Sequence, residues 1–152
     1  MSIKTTSSPS ALYSVSPTVE MVRKWIADLP AKTGRSLEEW LTFIEENGPA
    51  TEMERRAWLK QSHGIGTNAA WWLAERSVGK GREEDSPEAY LRQATIWVDE
   101  MFSGSKAHLR PVADTLMQLA KSISMEVNIC PGKTIIPFYR RHVFAQIKPA
   151  TR

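Results

Sequence analysis

Two capping boxes organise the N-terminal half of this 152-residue chain. Ser36 is followed three residues later by Glu39, and Thr51 is followed by Glu54 in the same way. In such a pair the hydroxyl accepts a backbone N–H of the first turn while the glutamate reaches back to the cap, so each pair predicts a helix start. Gly48-Pro49 ends the earlier helix, because proline cannot continue the hydrogen-bond ladder. The pattern predicts short helices joined by tight turns.

Signals on either side of the two boxes complete a set of four helices. Ser16-Pro17 is a helix start, and Pro30 is expected to stop the first helix. Gly64-Ile65-Gly66 breaks the third helix, and Thr67 or Asn68 is expected to cap a fourth. Apolar residues of the first helix recur at helical spacing, at Val19, Val22, Ile26 and Leu29.

The remaining segments define the domain organisation. Residues 16–78 are the predicted four-helix N-terminal module, and residues 79–86, with two glycines and an acidic cluster, are expected to be a linker. A small α+β domain is expected over residues 87–152. The Ser/Thr-rich residues 1–15 are expected to be a disordered tail.

The second domain changes its pattern near the middle. Ser86-Pro87 starts a long helix, and a sixth helix carries an apolar stripe at Val112, Leu116, Leu119 and Ile123. Strands are predicted over residues 134–139 and 142–147. Pro137 has no N–H, so its strand is expected to lie at a sheet edge or to carry a bulge. The predicted fold is α+β, mostly α: a four-helix N-terminal module followed by two helices packed on a small antiparallel sheet.

Composition restricts the environment of the protein. The longest apolar run, Ala69–Ala74, is much shorter than the ~20 residues needed to cross a bilayer, so no membrane-spanning segment is predicted. A single cysteine, Cys130, cannot form an internal disulfide and fits a reducing compartment. The N-terminal residues lack the apolar stretch of a secretory signal. A cytoplasmic location is therefore expected.

Charge is distributed unevenly along the chain. The formal net charge is +3, yet residues 106–152 contain eight Lys or Arg against two Asp or Glu. A basic surface of this kind attracts phosphate-bearing partners. The candidates for an anion-binding rim beside the predicted hairpin are Lys133, Arg140, Arg141 and Lys148. The alternative is that these basic residues protect an exposed strand edge from aggregation.

Several blocks of the sequence resemble known families. The segments KTGRSLEEW (Lys32–Trp40), GPAT, WLKQSHGIGTNAAWWLAE and EEDSPEAYL resemble a bacterial family of uncharacterised proteins, a domain of unknown function. The segment CPGKTIIPFYRRHVFAQIKP (Cys130–Pro149) is similar to a second uncharacterised domain that commonly follows the first. The resemblance implies a two-domain architecture and no particular reaction, ligand or catalytic residue. It also implies a shortened chain, since similar proteins continue beyond the position of Arg152 into further sheet-forming segments.

The turn between the third and fourth helices is the clearest candidate site. Its spacing is similar to the hairpin of helix-hairpin-helix motifs, in which glycines let backbone N–H groups approach a phosphate. The candidate ligand- or phosphate-binding residues are His63, Gly64, Gly66, Thr67 and Asn68. The alternative is a structural turn, in which Gly64 ends one helix and Gly66 allows close packing.

Three tryptophans flank this turn: Trp58, Trp71 and Trp72. At helical spacing such side chains usually belong to a core, although they also suit a stacking platform for bases or an apolar ligand. Neighbouring residues on a helix point about 100° apart, so Trp71 and Trp72 cannot both face one core. At least one of the two is expected to contact another element or a partner.

Little in the sequence indicates a reaction. Cys130 and His142 are the one conceivable nucleophilic pair, and such a pair needs a hydrogen-bond geometry that spacing does not supply. The histidines His63, His108 and His142 lie far apart, without the spacing of metal ligands. Phosphate-loop, nucleophile-elbow and dinucleotide motifs are missing. The sequence thus predicts no catalytic residue, no metal site and no cofactor.

The leading hypothesis is a non-enzymatic binding or interaction protein. Its partner is an unknown protein or a small ligand. The partner is expected to contact the turn Gly64-Ile65-Gly66, here called the glycine turn, or the predicted hairpin of residues 134–147 with its basic side chains. Nucleic-acid binding through Gly64–Gly66 and the basic C-terminal third is the alternative, and an enzyme acting on a small molecule is a third hypothesis. The sequence does not predict the oligomeric state.

Overall fold

The computed structural model describes residues 12–150 of the chain. These residues form two compact units. The helical unit is Thr18–Ser86, and the C-terminal unit combines the chain from Pro87 onward with the described residues up to Pro17. Over this described range the first unit is helical and the second adds a three-stranded antiparallel sheet, which confirms the predicted α+β, mostly α class. Among the described helices, none combines the length and the hydropathy required to cross a membrane.

Local hydrogen bonds determine where the helices of the helical unit begin. Glu39 N donates to Ser36 Oγ at 3.2 Å while Ser36 N donates to Glu39 Oε2 at 2.7 Å, and Thr51 and Glu54 form the second box. A helix cap of this kind contributes about 1 kcal/mol. The helices are α1 (Pro17–Thr33), α2 (Leu37–Asn47), α3 (Glu52–His63) and α4 (Thr67–Ser77).

Pro30 lies inside α1, so the expectation that it stops the first helix is wrong. Proline removes one N–H donor and crowds the preceding turn, but it does not prevent later residues from donating. Gly34 N donates to Pro30 O at 2.9 Å, and Thr33 Oγ1 donates to Leu29 O at 2.7 Å. These bonds satisfy carbonyls of the last turn, and Gly34 leaves the helix with a φ of 81°.

The core of the helical unit consists of aliphatic side chains and one tryptophan. Trp40, Ile44, Leu59 and Leu73 are each at most 2 % exposed. A side chain of this size contributes ~1.5–3 kcal/mol when it is fully buried, so this cluster holds the four helices together. Further members of the cluster are Leu29, Leu37, Ile65, Ala70 and Ala74.

A buried ion pair fixes the segment after α4, which the sequence predicts to be a linker (residues 79–86). Arg76 is 4 % exposed, and its Nη2 and Nε donate to Asp85 Oδ1 at 2.6 and 3.2 Å. Its Nη1 donates to Trp72 O at 3.1 Å. Because a buried charge needs its partners in place, the segment is bound to α4. A short 3₁₀ turn, Arg82–Glu84, lies within it.

The C-terminal unit places two helices before its sheet. The helices are α5 (Pro87–Met101) and α6 (Arg110–Ile123), and a 3₁₀ segment, Gly104–Leu109, connects them. Both strand pairs are antiparallel, in the order β1 (Asn128–Ile129), β2 (Ile136–Tyr139), β3 (Val143–Ile147). The two predicted strands are present as β2 and β3, and each begins slightly later than the sequence indicated.

Pro137 lies in the central strand of this sheet and not at its edge. Its carbonyl accepts from Cys130 N at 3.2 Å, and the reciprocal bond cannot form because proline has no N–H. Strand β1 ends directly before Cys130, where this missing bond weakens the ladder. The register between β2 and β3 also shifts between Phe138 and Tyr139, but the extra residue, Phe144, lies on β3 and not on the strand of Pro137.

The described residues before α1 are attached to the sheet, although they fall in the predicted disordered tail (residues 1–15). Ser14 N donates to Ile129 O at 2.9 Å, and Ser14 Oγ donates to Asn128 Oδ1 at 3.0 Å. Tyr13 is 8 % exposed. This segment therefore belongs to the C-terminal unit, and residues 1–11 of the predicted tail lie outside the described part of the chain.

Helix α6 has two apolar faces. The buried face consists of small or flexible side chains: Ala113, Met117 and Ala120. The apolar stripe by which the sequence identifies this helix lies on the outside, where its members are 42–73 % exposed: Val112, Leu116, Leu119 and Ile123. A helical period shows that a helix has an apolar face, but with two such faces it does not show which one packs inward.

Candidate functional site

Three of the five candidate residues at the glycine turn line a cleft in the helical unit. The cleft has a volume of about 500 Å³ and is formed by α1, α2 and the turn from α3 to α4. His63, Gly64 and Gly66 contribute from the turn. We call it the aromatic cleft, and its other principal residues are Trp25, Lys32, Arg35 and Trp40.

Trp40 is the rigid part of the cleft wall. Its side chain is 2 % exposed. The indole Nε1 donates to Thr33 Oγ1 at 2.7 Å, and that hydroxyl donates to Leu29 O at 2.7 Å. Because the one polar atom of the buried indole is satisfied, the ring is fixed in a single orientation.

His63, the last residue of α3, is held by packing against aromatic rings. Its ring centroid lies 4.5 Å from that of Trp58, 5.2 Å from Phe43 and 6.0 Å from Trp40, each in an edge-to-face arrangement. Within residues 12–150 no side chain or backbone group forms a hydrogen bond with its ring nitrogens. His63 is also one of the residues that line the cleft.

Arg35 supplies an ordered cation at the cleft. Its guanidinium carbon lies 4.0 Å from the ring centroid of Phe43 and 4.9 Å from that of Trp40. Such cation–π contacts restrict the rotamers of a long side chain and leave its N–H donors free to bind an anion. The guanidinium is thus positioned before any ligand arrives.

Lys32 supplies a second cation, at the end of α1. Its Nζ lies 3.7 Å from Asp28 Oδ2, and the same oxygen accepts a hydrogen bond from Lys24 Nζ at 3.0 Å. The pKa of the Asp28 carboxyl lies below its ordinary value, first because of the bond from Lys24 and then because of both ammonium charges. Of the two lysines, Lys32 lines the cleft.

The backbone of the glycine turn is open. Gly64 ends α3 with a φ of 64°, and a Cβ at Gly64 or Gly66 would meet no atom of residues 12–150 within 4 Å. Gly66 is the N-cap of α4 and no side chain of the described residues caps this helix, so the predicted cap by Thr67 or Asn68 is wrong. Thr67 is already the first helical residue, beyond the position from which a hydroxyl reaches the free N–H groups. Thr67 and Asn68 are exposed and do not line the cleft.

The neighbouring tryptophans of α4 point to different surroundings, as predicted. Trp72 packs edge-on against Trp25, with ring centroids 5.0 Å apart. Trp71 is 44 % exposed, and the Arg56 guanidinium lies 5.2 Å from its ring.

The indole Nε1 of Trp25 is buried and has no hydrogen-bond partner in the described chain. A buried donor without a partner is unfavourable, and this one belongs to a residue of the cleft.

The sequence did not single out four of the cleft residues: Trp25, Lys32, Arg35 and Trp40. The last three belong to the KTGRSLEEW block, where the visible signals are helix capping and a family resemblance. Trp25 is remote from the glycine turn along the chain. Packing alone brings α1 to this turn, so no local pattern predicts that Trp25 and His63 share a cleft.

The four basic candidates of the C-terminal unit fall into two separate grooves. Lys133 and Lys148 line a groove of about 400 Å³. Arg140 and Arg141 line another, of about 650 Å³. Arg140 Nε donates to Glu126 Oε2 at 2.8 Å, and this carboxylate offsets its charge. The structure therefore does not gather the four side chains into one rim.

Cys130 and His142 lie in different environments within the described chain. Cys130 is 4 % exposed, and burial raises its pKa to about 11. A thiol with this pKa is almost entirely protonated at neutral pH and is a poor nucleophile. His142 is exposed in the turn between β2 and β3. Over residues 12–150 no cluster of His, Cys, Asp and Glu side chains is arranged to hold a metal ion.

These features define a two-unit protein, with an aromatic cleft in the helical unit and basic grooves in the α+β unit. Residues 22–75 match the family model of a domain of unknown function, DUF4287, and residues 98–152 match that of a second, DUF5655. The two matches follow one another along the chain in the order that the resemblance implies. The first match contains the aromatic cleft, and the second contains both basic grooves. No curated protein and no solved structure gives a match.

Proposed function

We propose that the helical unit binds a small ligand that combines a flat ring with a negative charge. The observation that carries the proposal is the convergence of three aromatic side chains and two cations on one cleft of about 500 Å³. Small-molecule sites commonly enclose ~300–1,000 Å³ and combine apolar walls with a few polar groups. The cleft has this size and this composition.

The aromatic residues suit the ring of such a ligand. Trp40 is fixed by its bond to Thr33, and His63 is fixed by packing, so both are in place before binding. Trp25 adds a partly exposed indole whose Nε1 has no partner in the described residues. Flat ligands gain from rigid aromatic walls because little side-chain entropy is lost on binding.

The charged groups suit the anion. Lys32 and Arg35 line the cleft, and no Asp or Glu of the described chain is among the lining residues. The uncapped first turn of α4, after Gly66, adds N–H groups and the positive end of a helix dipole beside them. An anionic group bound near Gly66 is therefore attracted from two sides.

A nucleic-acid strand is the second candidate occupant of the same surface. Two observations favour it: the backbone at Gly64 and Gly66 is open, and the cations Lys32 and Arg35 lie next to it. Fluorescence anisotropy with single-stranded and duplex DNA oligonucleotides across a salt series tests this candidate. Binding with a steep logarithmic salt slope supports it, and absence of binding at low salt removes it.

The proposal assigns the protein a binding role without a reaction, and it places the protein in the cytoplasm. The cytoplasmic location is supported by the single cysteine of the sequence. The proposal gives no nucleophilic role to Cys130, because this one thiol of the sequence is buried and protonated at neutral pH.

Two-dimensional NMR spectra of the tryptophan indole N–H groups provide the test. AMP and benzoate are the ring-plus-anion probes, adenosine lacks the charge, and ribose 5-phosphate lacks the ring. AMP is expected to shift the indole signal of Trp25 saturably, and the affinity read from this signal is expected to be higher for AMP than for adenosine or ribose 5-phosphate. Lys32→Gln is expected to weaken AMP binding about three- to tenfold while adenosine binding changes little, because one charged hydrogen bond is lost.

Lys24→Gln is the matched control. Lys24 and Lys32 both pair with Asp28 and are similarly exposed, with side-chain exposures of 74 % and 72 %. Lys24 does not line the cleft, so its loss should leave AMP binding unchanged. The proposal fails if neither AMP nor benzoate shifts the Trp25 signal, or if both lysine variants weaken binding equally.

A further inference from the structure

A second site lies in the C-terminal unit, where three separate segments bring lysines to one groove. Lys106 lies in the 3₁₀ segment before α6, Lys133 lies between β1 and β2, and Lys148 directly follows β3. The volume of this lysine groove is about 400 Å³. Three hydroxyl side chains also line it: Ser103, Ser105 and Thr134.

The three lysines of the groove have no partners in the described chain. None forms an ion pair or a side-chain hydrogen bond with residues 12–150. One carboxylate, Glu100, lines the groove and leaves an excess of positive charge. The three ammonium groups repel one another, and a bound anion would offset this repulsion because it attracts all three.

Three of the four lysines of the helical unit have a carboxylate partner in the described chain, and Lys60 has none. Lys24, Lys32 and Lys80 each have Nζ between 3.0 and 3.7 Å from a carboxylate oxygen. The absence of such partners is therefore not a general property of lysines in this chain. The groove concentrates unpaired ammonium groups in one place.

We propose that the lysine groove binds a small phosphorylated molecule. A phosphate monoester carries close to two negative charges and three strong acceptor oxygens, which match three ammonium groups and neighbouring hydroxyls. A nucleic-acid backbone would require a longer basic stripe, whereas Arg140 and Arg141 lie in a different groove. This site belongs to the C-terminal unit and does not depend on the aromatic cleft.

Titration of the full chain with inorganic pyrophosphate and with ribose 5-phosphate tests the proposal. Calorimetry should show saturable binding of at least one of the two probes, and backbone amide NMR shifts should map to Lys106, Lys133 and Thr134. The triple variant Lys106→Gln/Lys133→Gln/Lys148→Gln should bind at least about tenfold more weakly. Circular dichroism establishes that the variant is folded, and the mapping on the unmodified chain requires no variant.

The charge-matched control is Arg92→Gln/Arg140→Gln/Arg141→Gln. It removes three exposed positive charges from the same unit, all outside the groove. Its affinity for the probe should remain within about twofold of the unmodified chain, since exposed charges that do not line the groove are screened by salt. Equal losses in the two triple variants would overturn the proposal. No binding of either probe, or tighter binding of a DNA oligonucleotide through the same three lysines, would overturn it as well.

Discussion

The aromatic cleft and the lysine groove differ in what their residues contribute to the fold. Trp40 and Ile65 line the cleft and also belong to the core of the helical unit. Lys133 and Lys148 line the groove and are exposed. The wall of the aromatic cleft is therefore part of the packing that holds the helices together. The lysines of the groove are carried on the surface of a fold that does not need them. Substitutions in the cleft wall should therefore lower stability, whereas substitutions of the groove lysines should not.

The largest expected effect is that of Trp40→Ala on the stability of the helical unit. This change leaves a cavity in the core and should lower the free energy of unfolding by about 3–5 kcal/mol. Urea unfolding followed by tryptophan fluorescence measures it, because five of the six tryptophans lie in this unit.

Trp71→Ala is the matched control for this substitution. Trp71 is 44 % exposed, so its removal should cost about 1 kcal/mol or less. If the two variants lost similar stability, the cleft wall would not be part of the core and the comparison between the two sites would break down.

An intermediate effect is expected from Cys130, which is buried in the C-terminal unit but does not line the lysine groove. Burial raises its pKa from 9.0 to about 11, so the folded state favours the protonated thiol. This contribution is complete below pH ~9 and is lost as the pH rises toward ~11, at a slope of at most about 1.4 kcal/mol per pH unit.

Urea unfolding at a series of alkaline pH values, followed by circular dichroism, measures this loss. The variant Cys130→Ala should show a shallower dependence on pH over the same interval. Burial also raises the pKa of Tyr13, which is present in the unmodified chain and in the variant. The difference between the two chains in the slope of unfolding free energy against pH therefore reports the thiol alone. Identical slopes would mean that the thiol ionises as readily in the folded state as in the unfolded state.

The smallest expected effect on stability is that of the triple lysine variant Lys106→Gln/Lys133→Gln/Lys148→Gln. It should change the free energy of unfolding by less than about 0.5 kcal/mol, or raise it slightly, because unpaired like charges are removed. Thermal unfolding measured by circular dichroism is sufficient. A large loss of stability would show that these side chains support the fold, and it would remove the distinction between the two sites.

The helix starts and the mostly α class follow from local sequence. Ser36 with Glu39 and Thr51 with Glu54 form hydrogen bonds across three residues, so their outcome depends little on the rest of the chain. Gly64 could likewise be assigned to a helix end from the sequence, because a left-handed residue is needed there.

Other features depended on contacts that local sequence does not contain. Pro30 remains in α1 because later residues complete the last turn. The segment 79–86 is fixed because Arg76, once buried, requires Asp85. On α6 the face with Ala113 and Met117 packs inward although the adjacent face has the larger aliphatic side chains.

The candidate site shows the same division. The sequence by itself determined that His63, Gly64 and Gly66 form a turn between two helices, because glycine conformation and helix termination are local properties. Only the tertiary structure decided that Trp25, Lys32 and Arg35 share a cleft with that turn. Likewise, only the tertiary structure brought Lys106 to Lys133 and Lys148 while placing Arg140 and Arg141 elsewhere. The physical reason is that burial of apolar surface brings distant segments together without regard to the polar residues that they carry.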